Sequence, residues 1–487
     1  MSIGRVTLLI SAFNILSKFI AYIRELIFAY AFGTSSTGDI VRLCNAFILI
    51  PISFATTEIF NAGYVGEAKR LGYSEGGARK NLDSAYLLFS IAVGLIITAL
   101  AFTFSADLAE ILKIPSDHAL LFESFYTITA LSAPAITAYS FLSYRQLIDS
   151  KPLLFSIRSP ILNFGFILGT IAYIYLGEIS LIPLSYVLTW ILAITVAAVT
   201  SDSAKLLTLR TLKRVKLNIF KIFVIWRTVI FLPVAAQLIF IIERVYAARS
   251  GTGIVSAVEI SRIIIDSAIV IVATPIAQSI ISYKGPHPET AAKLAIQKQL
   301  PILFMLLTPL TLFFAIDAHS LISILFERGK FNKESVEITS SMLITFLPGC
   351  FGFAITMVWS RYYSVCGDNR KYIYLLTIPN LLNIALLPLM TLHYDELGIG
   401  TSYSIAWSIA GIYSFFSLIN TCKISTKNIL LLSFIILSSI CSYGIAKAVQ
   451  LSTEHFLLSG AIFLTLTSLA YISHNSLRAK MREYLNK

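Results

Sequence analysis

Two short stretches hold residues that could do chemistry in an otherwise apolar chain. The first, "SKFIAYIRELIFAYAFG" (residues 17–33), has the apolar density of a membrane-spanning helix yet carries Lys18, Arg24 and Glu25 well inside its length. The second, "EISRIIID" (residues 259–266), sets Glu259, Arg262 and Asp266 three and four residues apart, so that all three can share one helix face. A charge near a bilayer centre costs roughly 2.5–3.5 kcal/mol on insertion scales, so each needs a compensating partner or purpose. Long-stemmed guanidiniums in a water-filled cavity are what a phosphate-bearing ligand requires, and Arg24 and Arg262 are read in that role. Glu259 and Asp266 are read as ion pairs that hold helices together. Lys18 and Glu25 fall on the same face of their helix, whereas Arg24 points elsewhere. The remaining intramembrane charges are Asp39, Arg42 and Glu58 in the second apolar run and Arg227, Glu243 and Arg244 in the seventh. Of these, Arg42, Glu243 and Arg244 lie near the outer ends, where long side chains are expected to snorkel.

Catalysis finds little support. There is no G-x-S-x-G elbow, no H-E-x-x-H and no G-x-x-x-x-G-K-[ST] loop, and no soluble domain that could hold a nucleotide. His118, His319 and His393 sit at expected loop edges without ligand spacing. Cys44, Cys350, Cys366, Cys422 and Cys441 are scattered singly, as apolar packing residues would be. The chain therefore reads as a non-enzyme with no metal and no cofactor, driven by gradients, potential or an imbalance of its own substrate.

The elements that must position these residues follow from composition. With 56% hydrophobic and 13% charged residues over 487 positions, the chain is far from a soluble domain and reads as an all-α polytopic membrane protein. Runs of about 20 apolar residues are needed to cross the hydrocarbon core. Breaking the chain at polar and Gly/Pro clusters predicts fourteen spans, at 5–33, 39–66, 82–106, 118–146, 153–176, 179–200, 217–247, 253–283, 299–326, 335–365, 371–393, 398–421, 428–449 and 455–474. The first run continues as a full span without a small-residue cleavage site, so it is expected to be retained. Intramembrane charge is expected to concentrate in spans 1, 2, 7 and 8.

Charge placement sets the orientation. The net charge of +12 comes from basic residues in short loops, which leaves no soluble basic domain for nucleic acid. Lys69, Arg70, Arg79, Lys80, Lys151, Lys205, Lys284, Lys371 and Lys427 fall in alternate loops, and the opposite loops "GTSSTGD", "YLGEIS" and "LHYDELG" have neither Lys nor Arg. Both termini are thus expected in the cytoplasm. The one basic cluster on the outer side, in "FERGKFNKES", is expected to be a solvated turn. A weak repeat, "FAYAFGTSSTG" after span 1 and "RVYAARSGTG" after span 7, suggests two lobes with a site between them. The expected division is 1–200 (spans 1–6), a basic cytoplasmic linker at 201–216, 217–423 (spans 7–12), and 424–487 with two C-terminal helices and a tail.

Three stretches resemble the MurJ/MviN lipid II flippase family, within the wider superfamily of multidrug and oligosaccharidyl-lipid exporters. They are "SKFIAYIRELIFAYAFGTSSTGDIV", "EISRIIIDSAIVIVATPIAQSIIS", and "LFERGKFNKES" running on to "YYSVCGDNRK". The resemblance implies cavity roles for Ser17, Lys18, Arg24, Glu25 and Asp39, and places Arg262 on the family's intramembrane arginine of span 8. It implies alternating access for a polyprenyl-diphosphate-linked glycolipid, lipid II, carried from the inner to the outer leaflet of the bacterial cytoplasmic membrane for peptidoglycan synthesis. The polyprenyl tail would stay in lipid along spans 13 and 14, and cell-wall synthesis proteins are admitted as partners. Three departures stand out: Lys18 replaces an arginine, "PISFATTEIF" in span 2 has no basic residue, and span 11 offers Asn380 and Asn383 but no carboxylate. A cavity with fewer arginines would suit another lipid-linked sugar, such as an O-antigen or exopolysaccharide unit. A drug or ion antiporter and a non-transporting scaffold are the readings from other classes.

Overall fold

The computed structural model describes residues 3–60, 78–149, 153–201, 231–282, 288–366, 368–453 and 456–474, together with Tyr64, Ala68, Lys151 and Leu477. The described regular structure is helical. Within the described residues each expected span falls on helix: α1 (Ile3–Phe32), α2 (Ser36–Ile59), α3 (Ala78–Ile111), α4 (Ser116–Ala130) with α5 (Ala133–Ile148), α6 (Leu153–Leu176), α7 (Leu181–Thr200) and α8 (Phe231–Ser250) hold the described parts of spans 1–7, and 217–230 of span 7 lies outside them. Spans 8–14 are α9 (Ile254–Ala268) with α10 (Thr274–Ser282), α11 (Pro288–Ile316) with α12 (Ala318–Phe326), α13 (Lys333–Cys366), α14 (Asn369–Tyr394), α15 (Gly398–Cys422), α16 (Thr426–Thr453) and α17 (Phe456–Ser473). Among the described residues, eight helical stretches are long and apolar enough to cross a membrane, and one of them, Arg370–Cys422, contains two expected spans.

Local chemistry explains where the helices stop. Gly33, at φ +58°, closes α1 in the left-handed conformation with its N–H on the Ala29 carbonyl at 2.8 Å. Span 4 breaks at Leu131–Ser132, just ahead of Pro134, which begins the next helix where a missing N–H costs nothing. Asp317 and Asp368 cap α12 and α14 through the N–H groups of Ser320 and Lys371, at 3.0 and 3.1 Å. Between α9 and α10 the chain widens into a π-turn at Ile269–Ala273, a feature frequent at functional sites.

By compactness the chain forms two units: residues 1–256 with 328–331, and residues 257–327 with 332–487. The division falls inside α9, so span 7 groups with spans 1–6 rather than with spans 8–12. The expected linker 201–216 lies, save Ser201, outside the described residues, as does Arg227. In the first unit, α6 packs against α1 and α7, α3 against α4 and α5, and α2 against α4 and α8. In the second, α15 lies along α13 and α14, and α16 along α11 and α17. Gly352 and Gly411 let α13 and α15 meet backbone to backbone, with Gly352 against the Trp407 carbonyl. Many large apolar side chains face outward, among them Leu95, Phe102 and Phe104 of α3 and Ile412 and Phe416 of α15. Patches of this extent suit a hydrocarbon solvent.

The outer loop "FERGKFNKES" is solvated as expected, with Arg328, Gly329, Lys330, Asn332, Lys333 and Glu334 exposed, and it is also anchored. Residues 328–331 belong to the first unit although the chain on either side belongs to the second. The Lys330 N–H donates to the Tyr30 carbonyl at 2.9 Å, Gly329 (φ +61°) lies against Tyr30, and Phe331 is buried. The Lys330 ammonium stands 5.9 Å from the Tyr173 ring, which stacks on Phe32. Backbone and apolar contacts, invisible in the loop's composition, anchor a turn whose charged side chains stay exposed.

Candidate functional site

The polar centre of the first unit is Glu25, 2% exposed as a side chain. One carboxylate oxygen accepts Arg24 Nη2 at 2.6 Å and Nε at 3.1 Å, and the other accepts Arg42 Nη2 at 3.2 Å. Arg42 Nη1 donates to Ser256 Oγ at 2.9 Å. Ser256 Oγ in turn donates to Asp39 Oδ1 at 2.6 Å. Asp39 also accepts the backbone N–H groups of Ser256 at 2.9 Å and Gly253 at 2.6 Å, so it caps the start of α9 from a distant part of the sequence. Arg24 and Arg42 each lean on the Phe28 ring, at 5.8 and 5.6 Å. Two guanidiniums and two carboxylates balance, and Arg24 is the member left partly open, at 15%.

Several expectations change here. Arg42 does not snorkel: its side chain is 4% exposed and it links Glu25 to Ser256. Glu243 is likewise buried, at 1%. Lys18 and Glu25 do not share an environment, since Lys18 is exposed while Glu25 is enclosed. Ser17 is buried and hydrogen-bonds through its hydroxyl to Ser159 of α6. The two repeat segments meet one another, with Ser36 Oγ 3.5 Å from Thr252 Oγ1 and Gly253 against Thr34. Of the span 2 charges, the Glu58 side chain lies outside what is described.

Arg262 is held in the second unit on an aromatic shelf. Its guanidinium carbon lies 5.0 Å from the centre of Phe346 on α13 and 4.7 Å from that of Tyr403 on α15. Those two rings pack together at 5.3 Å. Glu259 and Asp266 sit on the same helix, half-buried and exposed respectively, and all three engage polar or charged neighbours. The two π-faces hold the guanidinium plane in a fixed orientation. Arg24 stands in the first unit and Arg262 in the second. In span 11, Asn383 is buried with no partner for Oδ1 among the described residues, and Asn380 Nδ2 donates to the Leu376 carbonyl at 3.0 Å.

The sequence reading missed charge outside spans 1, 2, 7 and 8. Asp83 of α3 is buried and accepts Tyr64 Oη at 2.8 Å, Arg79 Nε at 3.3 Å and Arg145 Nε at 2.8 Å. Arg79 reaches on to Asp149 at 3.2 Å, and Arg145 to the Ser201 carbonyl at 2.6 Å. This second centre ties α3 to α5 and has the closed stoichiometry of a structural lock. Arg158 of α6 and Arg361 of α13 are further charges inside apolar helices. Their signal was present, an arginine more than one turn inside a span, but nearby basic flanks obscured it.

Comparison with known proteins places this architecture. A curated relative, the probable lipid II flippase MurJ of Aquifex aeolicus (strain VF5), is 28% identical over 195 residues, 37% of this chain. That match spans 36% of the relative's length. Among solved structures, a lipid II flippase MurJ in an inward closed conformation superposes with a TM-score of 0.79 at 17% identity, over 96% of this chain and 98% of that one. An inward-facing multidrug resistance MATE family transporter of the MOP superfamily gives 0.64 at 13% identity, over 84% of this chain and 96% of that one. Both share the fold. The sequence profile of lipid II flippase MurJ matches residues 28–470, and the chain belongs to that family.

Proposed function

We propose that this protein carries lipid II, an undecaprenyl-diphosphate-linked glycolipid, from the inner to the outer leaflet of the bacterial cytoplasmic membrane by alternating access, with both termini in the cytoplasm. The observation that carries this reading is the family match over 28–470, joined to intramembrane guanidiniums held in place rather than merely neutralised. A diphosphate head group cannot cross hydrocarbon unaided at a useful rate, because stripping its hydration costs far more than thermal energy. Arg24 and Arg262 supply the donors that replace that hydration, Ser17 and Lys18 extend the polar surface along α1, and Glu25 aims Arg24. Asp39, Glu259 and Asp266 support the helices that carry these groups. The lobes of the transport cycle are taken as 1–200 and 217–423, with 201–216 as linker; span 7 packs with the first unit in the structure described here.

The polyprenyl tail stays in lipid beside α16 and α17. An apolar crevice of about 340 Å³, lined by Phe304, Phe351, Phe415 and Ile436 among others, opens where α16 meets α11, α13 and α15, and suits an isoprenoid segment. A second reading, a different polyprenyl-diphosphate oligosaccharide, is favoured by one observation: residues 51–60 bring no basic residue and position 18 is lysine. The test is rescue of a strain depleted of its lipid II flippase. Wild-type chain is expected to restore growth, and Arg24→Ala and Arg262→Ala to fail at normal membrane abundance. Full rescue by both variants would remove the site assignment, and no rescue by the wild-type chain would favour the second reading.

A further inference from the structure

We propose that Arg158 is an additional anion-binding residue of the first unit and contacts a phosphoryl group of the lipid-linked substrate, an inference that rests on the diphosphate-lipid reading above. Arg158 lies on α6, half-buried, with Tyr139 and Tyr144 of α5 and Tyr186 of α7 as its electrostatic neighbours and no carboxylate among them. Elsewhere in this unit the arginines with described side chains are engaged. Arg24 and Arg42 meet Glu25, Arg79 and Arg145 meet Asp83, Arg244 donates to the Phe240 carbonyl, and Arg249 to that of Ile111. Arg328 also has an interaction. Arg158 alone among these makes no hydrogen bond or ion pair with the described residues.

A half-buried guanidinium without a counter-charge is unfavourable, because part of its hydration is lost with nothing to replace it. Neutral tyrosines do not supply that counter-charge. A bound anion does, and the surroundings point to where it comes from. Ser159, the next residue, is exposed and joined through its hydroxyl to Ser17 of α1. Tyr186 is the electrostatic neighbour of both Arg158 and Arg24. Its hydroxyl and the Trp190 indole N–H are buried, and neither makes a hydrogen bond of good geometry. Tyr186 of α7 is thus within electrostatic reach of both Arg24 of α1 and Arg158 of α6, and α6 packs against the other two helices. Arginine binds a phosphoryl oxygen pair in a fork, which lysine at position 18 cannot do. Span 2 has no basic residue between 51 and 60, so α6 provides the cation that α2 lacks.

The full chain in phosphatidylcholine nanodiscs, titrated with undecaprenyl diphosphate, undecaprenol and inorganic pyrophosphate, tests this. Wild type is expected to prefer the diphosphate lipid, and Arg158→Gln to raise its Kd about tenfold or more, with Arg158→Lys in between. The lipid-free thermal midpoint of Arg158→Gln should equal or exceed wild type, because the change removes an unpaired charge. Equal Kd in wild type and Arg158→Gln would overturn the role of Arg158 and leave the substrate reading standing. Wild type that binds undecaprenol as tightly as the diphosphate lipid would overturn the substrate reading and this inference with it. Pyrophosphate bound as tightly as the lipid, and lost in Arg158→Gln, would make the occupant a free anion and refute the lipid assignment. A lower lipid-free midpoint in Arg158→Gln, with both midpoint and Kd restored by Arg158→Lys, would mark a structural role and refute it as well.

Discussion

Replacing Glu25 by Gln tests whether one buried carboxylate holds two arginines in place. The Arg42 contact at 3.2 Å lies between side chains 4% and 2% exposed. At an effective dielectric of 20, a pair at that distance has a gross attraction of about 5 kcal/mol. Desolvation of both ions cancels much of this, and removing one partner of such a pair costs about 3–5 kcal/mol, since the survivor stays buried and charged. Arg42 keeps Ser256, so the lower end applies, with about 3 kcal/mol expected for Glu25→Gln. Arg42→Gln should cost a similar amount, and the double variant less than the sum, with a coupling of about 2 kcal/mol. Dodecyl-sulfate unfolding in mixed micelles, followed by tryptophan fluorescence, reads all four corners of the cycle. Additivity within about 0.5 kcal/mol would refute the pairing. Transport adds a second arm: Glu25→Gln should fail to rescue flippase depletion even at permissive temperature, because Arg24 loses the group that aims it.

Further outcomes follow from single contacts. Asp39→Ala removes the cap on α9 at a cost of about 1–2 kcal/mol, and should speed hydrogen exchange at the Gly253 and Ser256 amides while leaving α14 unchanged. Gly329→Ala forces a side chain into a left-handed position already filled by Tyr30, and should loosen the loop so that trypsin added outside the cell cuts faster after the exposed Arg328 and Lys330. The Asp368 carboxyl, in the loop before α14, is held below the usual carboxylate range chiefly by the Lys371 backbone N–H. Its folded value is depressed, so the stabilisation is present above the unfolded value near 4 and is lost as pH falls through the folded one. Exchange at the Lys371 amide should therefore accelerate below about pH 4 in wild type and show no such step in Asp368→Ala.

The spans were legible because hydrocarbon thickness imposes a length on every crossing helix, and the limits of α6, α7 and α15 fall within two residues of those expected. What stayed hidden depends on distant partners. Arg42 sits near a helix end, where linear position favours snorkelling, but Ser256 folds over it from more than 200 residues away. The break in span 4 follows from packing around Pro134, which lies against Gly94 of α3. The loop at 328–331 is solvated as its charge and glycine suggest, but what anchors it, the Tyr30 carbonyl and the surface around Tyr173, lies far away in the sequence. At the candidate site the residue types were readable and their pairing was not. Glu25 satisfies Arg24 and Arg42, two neighbours that helical spacing alone does not select, and Lys18 is left outside.

The strap at 328–331 also sets an order of events during synthesis. A ribosome makes the first unit's helices before it reaches Arg328, and the second unit's opening helices are made in between. Until Phe331 has been translated, the outer end of α1 lacks the peptide that meets Tyr30 and covers Gly33. The amino-terminal half is therefore left unfinished by its own sequence, and its last piece arrives from the far side of a later insertion step. A nascent chain stalled near Ser256 should hold α1 in a looser state than the completed protein does.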